Sequence, residues 1–231
     1  MRLLITGSNR GIGLALTRQY LARGDRVFAA CRQPDAARDL LALRDSFPDQ
    51  LSVGQLDVAD PASIEAAYNN VRQQTDALDV LVNNAGIYPC GERLGSLDAQ
   101  IILHAFAVNS VGPIMVAQRF LDLLRQGERP RIVNITSQLG SLTRKRSGGD
   151  YSYTASKAAL NMLTKALAYD VRPLGIITVM VHPGWVQTDM GGRGAPLTPT
   201  ESARGMVAVI DSLKADDAAR YLQWDGSELP W

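Results

Sequence analysis

Apolar residues along this chain fall into two spacings that take turns. Short apolar runs at 3–5, 26–31 and 51–56 predict strands, and the composition of 26–31 (RVFAAC) predicts one buried on both faces. Between them the apolar positions recur every three or four residues. Ile12, Leu16 and Tyr20 share one face of a helix predicted over 12–23 and stopped by Gly24. Further helices are expected at 34–47, at 61–75 with Asp60 and Pro61 at its start, and at 97–125, 153–171 and 200–213. Further strands are expected at 79–82, 131–136, 176–181 and 221–224. Strands separated by helices cannot pair through hairpins, so they run parallel. The pattern predicts an α/β fold with a doubly wound, Rossmann-like parallel sheet. No repeat, low-complexity tract or linker divides the chain, and a single domain over 1–231 is expected.

Chemistry enters at the first strand-to-helix junction, Thr6-Gly7-Ser8-Asn9-Arg10-Gly11-Ile12-Gly13. Glycines there permit a tight turn and let main-chain N–H groups approach a pyrophosphate at a helix N-terminus, where the dipole favours an anion. Such a turn also serves plain structural purposes; its place between a first strand and a first helix is what points to a dinucleotide. An NAD-binding unit carries Asp or Glu about 20 residues further on, to accept from the ribose 2′-OH. Here the second strand ends Ala29-Ala30-Cys31-Arg32, without an acid. Arg32, and Arg10 inside the turn, match a 2′-phosphate instead, so NADP(H) is the expected cofactor. The alternative is that both arginines are solvated surface side chains.

Composition narrows the partners. Lys+Arg number 24 against Asp+Glu 23, so no global field points to nucleic acid or to an anionic membrane. His104 and His182 stand far apart and Cys31 and Cys90 lack CxxC spacing, so neither a metal site nor a disulfide framework is expected. Free thiols suit a reducing compartment. The start lacks the apolar region of a signal peptide, and no run approaches the roughly 18 apolar residues of a membrane span. A cytoplasmic protein is expected. Arg144-Lys145-Arg146 reads as a solvated loop or as a patch that meets an anionic substrate.

Taken in order, these motifs resemble the short-chain dehydrogenase/reductase family. The matching residues are Thr6-Gly7-x-x-x-Gly11-Ile12-Gly13, Asp57-Val58, Asn83-Asn84-Ala85-Gly86, Asn109, Ser137, Tyr153-x-x-x-Lys157 and Pro183-Gly184. The stretches TGSNRGIG, NSVGP, ASKAALNMLTKALA, HPGWVQTDMGG and DGSELPW are similar, more narrowly, to the sniffer-like carbonyl reductases and the C-factor group.

The resemblance implies a catalytic set. Tyr153 would be the general acid/base and Ser137 would orient and polarise the carbonyl. Lys157 would lower the tyrosine pKa and bond the nicotinamide ribose, and Asn109 would hold a water on a proton relay. The residue types suit these tasks. A phenol with a pKa of about 10 is a poor acid near neutrality, and an ammonium one helical turn away favours its ionised form. Ser137 follows a strand at the sheet edge where open α/β folds bind ligands, although a serine there also serves as a turn cap.

For the cofactor the resemblance implies contacts at Gly7, Asn9, Arg10, Gly11, Ile12, Gly13 and Arg32. Asp57 and Val58 would lie at the adenine, and Asn83, Ala85 and Gly86 beside the adenosine ribose. Asp57 has a turn-capping alternative. Tyr153, Lys157, Pro183, Gly184, Val186 and Thr188 complete the set, Thr188 at the nicotinamide carboxamide. Tyr88, Leu139, Tyr151, Trp185 and Met190 are expected around the substrate, and the Gly/Pro-rich stretch 190–199 as a mobile lid. A homo-oligomer, most simply a dimer, is implied through the helices carrying Asn109 and Tyr153. The expected activity is NADPH-dependent reduction of ketones or aldehydes. Alternatives are a nucleotide-sensing or signalling module on the same fold, and an NAD-dependent alcohol dehydrogenase.

Overall fold

All the expected strands are present in the computed structural model, which describes residues Met1–Trp231. They are β1 (Arg2–Thr6), β2 (Arg26–Cys31), β3 (Leu51–Gln55), β4 (Val80–Asn83), β5 (Arg131–Ile135), β6 (Ile177–His182) and β7 (Tyr221–Gln223). Together they form one sheet in the order β3-β2-β1-β4-β5-β6-β7, parallel throughout. The chain builds outward from β1 to β3, then returns and places β4 on the other side of β1. That reversal opens a crevice at the C-terminal ends of β1 and β4, where such sheets bind ligands.

Alternation along each strand feeds two cores. Leu3 and Ile5 of β1 face a cluster that includes Leu16 and Tyr20 of α1 (Gly11–Ala22), Leu40 of α2 (Arg38–Ser46) and Met206 and Ile210 of α8 (Pro199–Ser212). Leu4, between them, faces the other cluster. There Ile64 and Val71 of α3 (Pro61–Arg72) meet Val116 of α5 (Gly112–Arg119) and Leu124 of α6 (Leu121–Arg125). α4 (Ala99–Phe106) and α7 (Tyr151–Val171) complete that side.

The helix expected over 97–125 is broken. α4 runs into a π-helical turn, Ala107–Val111, before α5 begins, and a second break at Phe120 separates α5 from α6. Pro113 has no N–H to give the carbonyl of Asn109, so a regular ladder cannot pass this point. The stretch Ala99–Arg119 is long and apolar enough to cross a membrane, contrary to the expectation that no run approaches that length. In the fold it packs against α7. Asn109 and Ser110 on it are fully buried, and the Ser110 hydroxyl donates to the Ser156 carbonyl at 2.7 Å.

Helix starts also shift for local reasons. α8 opens at Pro199 because Thr198 and Glu201 form a reciprocal capping box. The helix expected from Pro34 begins as a single 3-10 turn, Pro34–Ala36, before α2 proper. α7 starts two residues before Tyr153, with Asp150 at its N-cap.

His182 ends β6 in a buried position, and its Nδ1 has no protein partner. Burial, with the Arg144 charge as a lesser cause, lowers its pKa from 6.5 to about 4. Between those values the unfolded chain takes up a proton that the folded chain refuses, so stability falls as the pH drops through that window. The loss from this residue should reach about 3 kcal/mol at most. Urea denaturation across pH 4–6.5 should show this acid limb, and His182→Gln should flatten it; a limb of unchanged slope would assign the effect to other groups.

Candidate active site

The C-terminal ends of β1, β2, β4, β5 and β6 share one cleft of about 880 Å³. Gly7 and residues 9–13 form one wall, Cys31, Arg32 and Gln33 the tip of β2, and residues 55–58 the segment after β3. Residues 84–87, Ile135, Thr136, Tyr153, Lys157, Pro183 and residues 187–190 close the other end.

Close packing shapes the glycine turn. Gly7 has φ +67°, which an L side chain rarely adopts, and a Cβ on Gly13 would stand 2.3 Å from the Gly7 carbonyl oxygen. Asn84 locks the turn from β4: its Nδ2 donates to the Thr6 carbonyl at 2.9 Å and the Gly7 carbonyl at 3.1 Å. The Thr6 hydroxyl in return accepts from the main-chain N–H groups of Asn84 and Ala85, each at 3.0 Å. No side chain caps α1, so its first-turn N–H groups remain available to an anion. At the far end, a Cβ on Gly86 would lie 3.2 Å from Asn109 Oδ1 and 3.6 Å from Lys157 Nζ. Glycine leaves polar atoms open there. These features fit a dinucleotide laid from the β2 tip to Lys157.

The two arginines differ. Arg32 is exposed at the β2 tip and forms no ion pair, whereas Arg10 reaches across the cleft mouth to the Asp189 carboxylate. Asp57 lines the cleft and also caps its own turn, accepting from the Ala59 N–H at 3.0 Å.

Ser137, Tyr153, Lys157 and Asn109 are all buried; Tyr153 and Lys157 line one end of the cleft, with the Ser137 hydroxyl beside the Tyr153 phenol and Asn109 behind Gly86, next to Lys157. The first turns of α7 bring Tyr153 and Lys157 to one face. Lys157 Nζ donates to the Ile135 carbonyl at 2.9 Å and stands 5.9 Å from the Tyr153 ring centroid. Burial lowers the Lys157 pKa to about 8, and no carboxylate offsets it. Burial also pushes the Tyr153 phenol up, and the Ser137 hydroxyl beside it pulls it back. Burial is the dominant influence on the phenol, and the Lys157 ammonium over its ring also donates to a main-chain carbonyl.

Asn109 sits in the π-helical turn and braces the loop after β4, accepting from the Ile87 N–H at 2.8 Å and donating to the Ile87 carbonyl at 2.9 Å. Its second Nδ2 proton goes to the Ser156 hydroxyl at 3.0 Å. Ser137 is braced from the far edge of the sheet, where the Tyr221 hydroxyl on β7 donates to its carbonyl. The loop beyond it is tied down by the Ser141 hydroxyl on the Pro230 carbonyl at 2.7 Å and the Thr143 N–H on the Trp231 carbonyl at 2.8 Å.

A short chain dehydrogenase family model matches residues 2–195. The chain belongs to the short-chain dehydrogenase family. It is 45% identical over 157 residues to the C-signal of Myxococcus xanthus, which covers 68% of this chain and 95% of that protein. Among solved structures it is similar to an NADPH-bound carbonyl reductase from chicken fatty liver, at 36% identity and a TM-score of 0.94 over 100% of this chain and 98% of that one. It is equally similar to the carbonyl reductase Sniffer of D. melanogaster, at 34% identity and a TM-score of 0.95 over 100% and 99%.

In this short-chain dehydrogenase three expected cofactor residues turn away from the cleft. Asn83 is buried and ties strands together, donating to the Pro113 carbonyl at 3.0 Å and to Asn134 Oδ1 at 2.8 Å. Gly184 packs against Leu197 and Trp224, and buried Val186 forms a bridge with Leu197. The residue missed is Asn84; in a strand leaving the sheet, neighbouring side chains face opposite ways, so the motif alone does not say which asparagine meets the turn. The stretch 190–199 is also more tethered than its composition implies. Trp185 Nε1 donates to the Gly191 carbonyl at 2.7 Å, Gln187 Nε2 to the Ala195 carbonyl at 2.9 Å, and the Gly191 N–H to the Thr188 hydroxyl at 3.0 Å.

Asn84→Ala should therefore loosen both the fold and the nucleotide wall. It strands two main-chain carbonyls, which costs about 1–3 kcal/mol. Thermal denaturation should show a clear drop in Tm, and an unchanged Tm would show that the turn holds itself.

Proposed function

We propose that this protein is an NADPH-dependent reductase of ketones or aldehydes, and that it works in the cytoplasm, where Cys31 and Cys90 remain free thiols. The observation that carries the reading is the buried Ser137–Tyr153–Lys157 cluster at the inner end of a cleft whose outer end presents an unpaired Arg32 and no acid at the tip of β2. Its similarity to a carbonyl reductase with NADPH bound supports the same assignment.

The cleft would hold a reduced nicotinamide, which would supply the hydride to the carbonyl carbon. The chain does the rest. Gly7, Asn9, Gly11, Ile12 and Gly13 would hold the pyrophosphate against α1, Arg32 would take the 2′-phosphate, joined by Arg10 on leaving Asp189, and Asp57 with Val58 would flank the adenine. Ala85 would border the adenosine ribose, whereas Gly86, expected there too, lies beside Lys157 Nζ and with Pro183 and Thr188 would border the nicotinamide end. The Ser137 hydroxyl holds the substrate oxygen, and the Tyr153 hydroxyl gives it a proton as negative charge develops. Lys157 would bond the nicotinamide ribose. Both Nδ2 protons of Asn109 are already committed, so a water on the relay is held by oxygen lone pairs at this residue. Leu139, Trp185 and Met190 expose large apolar side chains and Tyr151 is half-buried, which suits a carbonyl with an apolar substituent.

Tyr153→Phe should abolish NADPH consumption with a panel of ketones and aldehydes while NADPH still binds. Retained turnover would remove Tyr153 from the chemistry. A wild-type protein that binds NADPH but consumes none would instead favour the sensing module.

Charge-assisted bonds to the 2′-phosphate are worth about 1.5–3 kcal/mol each, so NADPH should bind at least about tenfold more tightly than NADH. Arg32→Asp should erase that preference and spare NADH. Equal Kd values in titrations of the native protein would make these arginines mere surface charge.

A dimer fits the outer faces of two neighbouring helix layers. Ile101, Leu103, Val111 and Met115 on the α4–α5 stretch, and Met162, Leu163 and Tyr169 on α7, are large apolar side chains left exposed. Light scattering should give twice the chain mass, and Met162→Glu, at a position 68% exposed and so harmless to a lone chain, should halve it.

A further inference from the structure

We propose that Tyr88 and Asp150 are positioning residues for Tyr153, with the Tyr88 ring serving as a wall for the reacting phenol and Asp150 holding that wall in place. The inference rests on the reading of Tyr153 as the proton donor.

The ring of Tyr88 lies against that of Tyr153, with centroids 4.7 Å apart and planes inclined at 53°. That is the separation of a directly packed aromatic pair. The Tyr88 hydroxyl donates to Asp150 Oδ1 at 2.7 Å. This bond to a carboxylate raises the Tyr88 pKa well above the ordinary phenol range, so its hydroxyl stays protonated and keeps donating.

Asp150 is an odd residue for this purpose. It occupies the N-cap of α7, where an aspartate ordinarily accepts from an N–H of the first turn. Its carboxylate caps nothing, and its backbone is left-handed, with φ 51° and ψ 37°. The capping is done from elsewhere: Glu92 accepts from the Ser152 N–H at 2.9 Å. Asp150 thus adopts a costly conformation and forgoes its local bond, and its side chain goes to a tyrosine far away in sequence.

Tyr88 and Glu92 belong to the same loop after β4. That loop grips the start of α7 at two points, and Asn109 anchors its base through Ile87. The two grips fall at Asp150 and Ser152, immediately before Tyr153. The other groups around the phenol are Ser137, Lys157 from α7 itself, and Tyr221 from β7. The ring of Tyr88 is what keeps water from this side of the phenol and limits its swing, and small misplacements of a proton donor are costly in rate.

The test measures kcat, KM, NADPH Kd and the pH profile for Tyr88→Ala, Tyr88→Phe and Asp150→Ala beside Tyr153→Phe. Tyr88→Ala should lower kcat roughly 10–100-fold, the range of a misplaced catalytic group, and leave NADPH Kd unchanged. Its basic pH limb should move down, because water admitted beside Tyr153 relieves the burial that holds the phenol up, and Asp150 is not among the groups acting directly on it. Tyr88→Phe keeps the ring and should restore most of kcat. Asp150→Ala removes the same bond as Tyr88→Phe and should give the same modest loss, not deepened when the two are combined; it carries the test should Tyr88→Ala fail to fold. Wild-type kcat and pH limb in Tyr88→Ala, a loss that Tyr88→Phe does not restore, or additive losses in the double variant would overturn the proposal. If Tyr153→Phe is inactive and Tyr88→Ala is normal, only the positioning inference fails. If Tyr153→Phe stays active, the proton-donor reading fails with it.

Discussion

Everything in this site depends on how closely α1 approaches the end of β1. A single added carbon on Gly13 would collide with the Gly7 carbonyl, so the first turn of the helix lies directly on the turn that precedes it. That contact sets the position of the uncapped N–H groups relative to the sheet. It also leaves two carbonyls, of Thr6 and Gly7, that the helix cannot satisfy, and Asn84 from the neighbouring strand supplies both donors. The crevice at the strand-order reversal is therefore stitched across, β1 to β4, before any ligand arrives. A pyrophosphate finds a rigid cradle and little ordering remains to be done on binding.

At the other end of the cleft the organising force is desolvation. Tyr153 and Lys157 are buried with no carboxylate between them, so each neutral form is favoured: the phenol resists ionising and the amine drops to about 8. A protonated phenol is what a reductase needs at the start of its reaction. Lys157 is the more readily titrated partner; its Nζ donates to the Ile135 carbonyl while lying over the Tyr153 ring, 5.9 Å from its centroid. Ser137 stands between these effects, next to the phenol and pinned by Tyr221 from behind.

What was legible in the sequence was local. The strand and helix alternation, the glycine turn, the absence of an acid at the β2 tip and the Tyr153/Lys157 pair all depend on spacings of a few residues, and backbone geometry translates such spacings directly into position. What was not legible came from side chains meeting across the fold. Asn83 and Asn84 are chemically identical neighbours, and only the side-chain alternation at the end of β4 decides that the second meets the glycine turn while the first faces Asn134. Arg10 looked free for a phosphate, yet Asp189 stands opposite it. The stretch 190–199 reads as loose by composition and is pinned by Trp185 and Gln187, residues outside it. The break at Asn109 had a local sign in Pro113, but its purpose, bracing Ile87, did not.

The bracing of Ser137 has a consequence for how the molecule comes into being. Ser137 lies in the middle of the chain, yet its carbonyl is held by Tyr221 and the loop beyond it by the main chain of Pro230 and Trp231. A nascent chain that has emerged only as far as α8 already contains the whole Ser137–Tyr153–Lys157 cluster and the whole glycine turn. It lacks the strand that fixes the serine. Competence therefore depends on β7 and the segment after it being docked against the loop that carries Ser137.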